Sequence, residues 1–160
     1  MQTLTTPMYK FKTEPYQHQR DALTKCWNKK AFAIFAEMGT GKTKIALDNA
    51  CILYNKGKID RLLVVAPKGA YMNWVKLEIP IHVPNYIQTK VLAWSTSTSA
   101  KYKAQLKDII NLHDYSLKIM VMNVEAFSTK KGVAFASKFL NCHNTLIAID
   151  ESTTIKNPGA

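Results

Sequence analysis

Five short apolar runs punctuate the chain: Ala31–Ala36, Leu62–Ala66, Lys90–Ala93, Lys118–Met122 and Thr145–Ile149. Each has the length of a strand, and several are rich in Val and Ile. They are continuous rather than alternating, which fits strands buried on both faces of a parallel sheet. Helical periodicity fills the gaps. Leu47, Ala50, Cys51 and Tyr54 recur on one helical face. Lys68–Ile79, Lys101–Leu112 and Glu125–Leu140 read as further helices, and Tyr16–Lys29 as one before the first run. Ser95–Ala100 has loop composition. Strands that alternate with helices predict an α/β fold built on a parallel sheet with right-handed crossovers.

Chemistry enters where the first run ends. Ala36-Glu-Met-Gly-Thr-Gly-Lys-Thr43 matches the phosphate-loop pattern, with Ala36 in place of the first glycine. Gly39 and Gly41 let the backbone turn sharply and approach phosphate closely. Thr40 lies between them. The helix that follows points free N–H groups and its positive end at an anion. Lys42 is placed for the β- and γ-phosphates and Thr43 for Mg²⁺. Such a loop needs an acidic partner at the C-terminal end of another parallel strand. The run Thr145–Ile149 ends in Asp150-Glu151. Asp150 is placed to hold the Mg²⁺ shell, and Glu151 to polarise an attacking water.

Composition changes this picture in one respect. Twenty-two Lys and Arg against 11 Asp and Glu give a formal charge of +11, which suggests a polyanionic partner. Lys68, Lys130 and Lys131 are candidate contacts to its backbone. No apolar run reaches the roughly 18 residues of a membrane span, and no secretory signal is visible. The expected setting is the cytoplasm or the nucleus. The three cysteines form no Cys-x-x-Cys pair, so reduced thiols are expected and a zinc site is not.

Two motifs together resemble those of superfamily 2 helicases, and more closely those of Swi/Snf-type DNA translocases. Glu37-Met-Gly-Thr-Gly-Lys-Thr43 is similar to that family's motif I, and Asp150, Glu151, Ile155, Lys156 and Asn157 to its motif II. Glu14-Pro-Tyr-Gln-His-Gln19 is similar to that family's Pro-Tyr-Gln segment, whose glutamine recognises adenine, which maps to Gln17 and favours ATP over GTP. Leu63–Lys68 with Asn73-Trp74 resembles motif Ia, which lies along nucleic acid. Val121–Phe127 resembles a further strand motif. Thr153 stands where the family commonly has His or Asp.

The resemblance implies a RecA-like parallel sheet flanked by helices, a P-loop NTPase truncated after motif II. It divides the chain into an N-terminal adenine-recognition segment, residues 1–30, and a first motor lobe, residues 31–160. It implies ATP and Mg²⁺ as cofactors, and DNA, duplex or single-stranded, as partner. A second RecA-like lobe carrying an arginine finger is expected elsewhere in the same protein. The expected activity is ATP hydrolysis by the full-length motor, with the fragment alone a poor catalyst. The alternatives are a binding module without turnover and an RNA helicase lobe. Asp-Glu-Ser-Thr with the Ile155-Lys156-Asn157 extension favours DNA.

Overall fold

The computed structural model describes residues 9–27, 41–111, 114–142 and 144–150, with Cys142 described by its backbone only. The expected strand Ala31–Ala36, the phosphate-loop residues Gly39 and Thr40, and Glu151 with the rest of motif II lie outside these residues.

Four of the five expected strands are present: β1 (Arg61–Ala66), β2 (Thr89–Ala93), β3 (Leu117–Asn123) and β4 (Thr145–Ile149). They form a parallel sheet in the order β2-β3-β1-β4. The central pair β1 and β3 is buried along almost its whole length, as continuous apolar sequence requires.

Helices cover both faces. Leu62, Val64, Leu117 and Ile119 pack with α1 (Gln17–Cys26) and α2 (Lys42–Asn55) on one side. Leu63, Met120 and Met122 pack with α5 (Ala100–Asn111) and α6 (Lys130–Cys142) on the other. This is the α/β arrangement of a RecA-like domain. Among the described residues β4 ends the sheet: Leu146 and Ala148 pack into the core, while Ile147 and Ile149 stand about half exposed at 47% and 54%.

Two expected helices are not continuous. Lys68–Ile79 resolves into α3 (Tyr71–Asn73), a π-helical turn (Trp74–Glu78) and α4 (Ile79–His82). Pro80 has no N–H to offer an α-helical ladder. The wider turn instead joins the Ile79 N–H to the Trp74 carbonyl. Trp74 and Ile79, five residues apart, thereby share the buried face.

Glu125–Leu140 likewise splits into a 3₁₀ turn (Val124–Ser128) and α6. Thr129 between them is extended, with ψ 148°. Its hydroxyl donates to the Ala126 carbonyl at 2.7 Å and accepts from the Gly132 N–H at 3.0 Å. Gly132 makes the junction fit, because a Cβ there would stand 2.0 Å from the Ala126 carbonyl oxygen.

Candidate nucleotide site

α2 begins at Gly41, whose φ of +76° is left-handed. That conformation explains the last glycine of the loop, since a Cβ would be strained there. Lys42 and Thr43 form the first turn of this 14-residue helix and are half-buried. Its N-terminal N–H groups and dipole favour an anion at that end.

Asp150 follows β4 directly, and its N–H donates to the Val65 carbonyl at 2.8 Å, so sheet pairing fixes its backbone. Its Oδ2 accepts from the Trp74 indole N–H at 3.0 Å. Trp74 is buried, and its polar edge reaches the acid.

The two glutamines of the N-terminal segment occupy different places. Gln17, expected at the adenine, is exposed, and its amide donates to Asp21 on the same helix at 2.9 Å. Of the two, Gln19 is the one that meets Gly41 among the described residues. It is 2% exposed, accepts from the Tyr16 N–H at 2.8 Å and donates to the Gly41 carbonyl at 3.3 Å. Helical geometry separates them, because residues two apart face different directions.

A second tie holds α2, and no motif announces it. Lys44 and Asp48 form a buried ion pair at 2.6 Å, 6% and 0% exposed in their side chains. Lys44 also donates to the Thr13 carbonyl at 2.8 Å, and the Tyr9 hydroxyl donates to Asp48 at 3.2 Å. Burial raises the Asp48 carboxyl above its usual range, against the pull of Lys44. It pushes the Tyr9 phenol up as well. The i, i+4 spacing of Lys44 and Asp48 was the available signal, but nothing in it foretold burial. Nearby, the Thr13 hydroxyl meets His82 Nδ1 at 2.8 Å, and burial with the Lys44 charge lowers the His82 pKa.

The three expected nucleic-acid lysines, Lys68, Lys130 and Lys131, are exposed. Lys68 follows β1 and the lysine pair opens the helix after β3, so parallel topology sets them at the end of the sheet that bears Asp150. Cys26 and Cys51 are free and buried, and burial pushes the Cys51 thiol up to about 12. Among the described residues no helix is long and apolar enough to cross a membrane, and no cluster of His, Cys, Asp or Glu could hold a metal by itself.

A parallel α/β sheet, a left-handed glycine before Lys-Thr at a helix start, and an aspartate at a strand tip define a P-loop nucleotide-binding domain. The family model for the type III restriction enzyme, res subunit, matches residues 12–155, and the chain belongs to that family of superfamily 2 helicase-like ATPase domains. Its class is therefore an ATP-dependent, helicase-like motor domain. No curated protein sequence matches the chain.

Proposed function

We propose that this chain is the N-terminal motor lobe of an ATP-dependent DNA helicase or double-strand translocase, with motifs of the Swi/Snf type. The observation that carries this reading is the placement of Asp150 at the C-terminal end of β4, in one sheet with the lysine-bearing ends of β1 and β3. One edge can then serve both triphosphate and polyanion.

The residues suit ATP with Mg²⁺. The Thr43 hydroxyl and the Asp150 carboxylate are hard oxygen donors of the kind Mg²⁺ takes. Gly39, Thr40, Gly41 and Lys42 would cradle the phosphates, and Mg²⁺ would neutralise charge as the γ-phosphoryl is transferred. Glu151 would orient the attacking water, as its place beside Asp150 suggests. The adenine contact is reassigned from Gln17 to Gln19, because Gln19 is the glutamine joined to the loop. Residues 1–30 would then carry adenine recognition, and 31–160 the lobe itself.

Lys68, Lys130 and Lys131 would meet the phosphate backbone of DNA. Lys101 and Lys103, exposed on the first turn of α5, extend the same edge. A second RecA-like lobe would supply the arginine finger and turn closure into movement, in the cytoplasm or nucleus.

The deciding experiment compares ATPase stimulation of the full-length protein by duplex DNA, single-stranded DNA and RNA. Stimulation by DNA is expected. Stimulation by RNA alone would favour an RNA helicase. No turnover at saturating nucleic acid would favour a binding module.

A further inference from the structure

The Trp74–Asp150 contact joins two segments that sequence motifs treat separately. Trp74 lies in the segment after β1, and Asp150 at the tip of β4, with 76 residues between them. The ring is 4% exposed and packs in the core beneath the sheet. A buried indole N–H needs an acceptor. Here the acceptor is the carboxylate that the ATPase reading assigns to the Mg²⁺ shell.

The π-helical turn makes the contact possible. In an uninterrupted α-helix Trp74 would share its face with Leu77, Glu78 and Ile81. Leu77 and Ile81 are instead 53% and 47% exposed, while Trp74 and Ile79 are buried at 4% and 5%. The five-residue turn rotates the apolar stripe so that Trp74 lies inward, with its N–H on Asp150. Single π turns of this kind often accompany functional sites.

We propose that Trp74 is a positioning residue for the metal-binding acid: its indole N–H fixes Oδ2 of Asp150, which orients the carboxylate and leaves Oδ1 for the cation or its water. This inference rests on the ATPase reading above and deepens it. A hydrogen bond to a carboxylate restricts its rotation, so less entropy is lost when a cation engages it. Partners that orient metal ligands in this way are typically worth ~10–100-fold in metal affinity. Lys68 lies on the same post-β1 segment, so a nucleic acid bound there would act on a segment that touches the metal-binding acid.

The experiment titrates Mg²⁺ into the intact protein with a fluorescent ATP analogue present and reads the Mg²⁺ midpoint for tight binding. Trp74→Phe keeps an aromatic ring and loses the N–H. We expect the midpoint to rise by roughly tenfold or more, with binding of the Mg²⁺-free analogue unchanged and excess Mg²⁺ restoring tight binding. A packing role alone would lower the thermal midpoint and leave the Mg²⁺ midpoint where it was.

If the Phe variant does not fold, benzothienylalanine at position 74 provides the comparison, since it replaces the N–H with sulfur at nearly constant shape. An unchanged Mg²⁺ midpoint in a folded variant overturns the proposal. Metal-free protein supplies an independent readout: Asp150→Asn should move the Trp74 indole resonance, and no movement would remove the contact on which the proposal stands. Nucleotide binding by the unaltered protein that ignores Mg²⁺ would overturn the ATPase reading and this proposal together.

Discussion

The Gln19 amide donates to the carbonyl of Gly41, 3.3 Å away, and so ties the first helix to the glycine that starts α2. The same carbonyl accepts the Ile45 N–H at 3.2 Å, the first bond of the helix. A Cβ on Gly41 would stand 2.2 Å from Gln19 Nε2, so the approach is close as well as polar. Gln19→Ala leaves the Tyr16 N–H without its acceptor and the Gly41 carbonyl with the Ile45 N–H alone. We expect it to cost about 1–3 kcal/mol of stability and to weaken ATP binding by roughly tenfold. Gln17→Ala, at an exposed site, should stay within about 0.5 kcal/mol of the parent. Urea denaturation and titration with a fluorescent ATP analogue measure both. Equal effects from the two glutamines would return Gln17 to consideration as the adenine residue.

Lys42 is the first residue of α2. Lys42→Ala should abolish measurable ATP affinity while leaving the fold intact by circular dichroism. Unchanged binding would remove the loop assignment.

Glu151→Gln, in the full-length protein, should retain ATP and lose turnover. The amide keeps the size of the side chain but cannot take up a proton. Persistent hydrolysis would mean that another group activates the water.

Gly132 allows α6 to begin against the 3₁₀ turn. Gly132→Ala drives a methyl group into the Ala126 carbonyl and should destabilise the protein by about 1–3 kcal/mol. Gly69→Ala meets nothing within 4 Å and serves as the control. Urea midpoints that fall equally would show that the junction relaxes freely.

The Lys44–Asp48 pair gives two outcomes of unequal size. Removing one partner, as in Lys44→Ala, leaves a buried carboxylate uncompensated and should cost about 3–5 kcal/mol. Replacing both with apolar residues, as in Lys44→Met with Asp48→Leu, should recover most of that loss. A double-mutant cycle on chemical denaturation reads the difference, and simple additivity would argue against coupling.

His82 sets a pH dependence. Its folded pKa lies below the ordinary 6.5, because burial and the Lys44 charge oppose protonation more than Glu78 favours it. Below pH 6.5 the unfolded chain therefore binds a proton that the folded chain resists, and stability falls as pH falls. The thermal midpoint should drop between pH 7.5 and 5.5, and His82→Gln should flatten that slope.

The sequence by itself determined the strands and most of the helices among the described residues. Thr145–Ile149 is a strand at the expected boundaries, and Arg61–Ala66 differs from its expected run by one residue. Period and composition are local properties, so short-range reading recovers them. The glycine at the start of α2 and the aspartate after β4 lie where the order of helix and strand puts them.

Tertiary structure decided which side chains meet. Gln17 and Gln19 are equal as letters, and only the packing of α1 against α2 turns Gln19 to Gly41 and leaves Gln17 in solvent. In the sequence Trp74 is one residue of the segment after β1, and the π-helical turn with the β1–β4 pairing brings its N–H to Asp150. Tyr9, Lys44 and Asp48 converge because the N-terminal segment folds back over α2. Each of these contacts joins residues distant in sequence or depends on which way a helix turns. Neither fact is encoded in the period of the residues concerned; both are settled when the whole core packs.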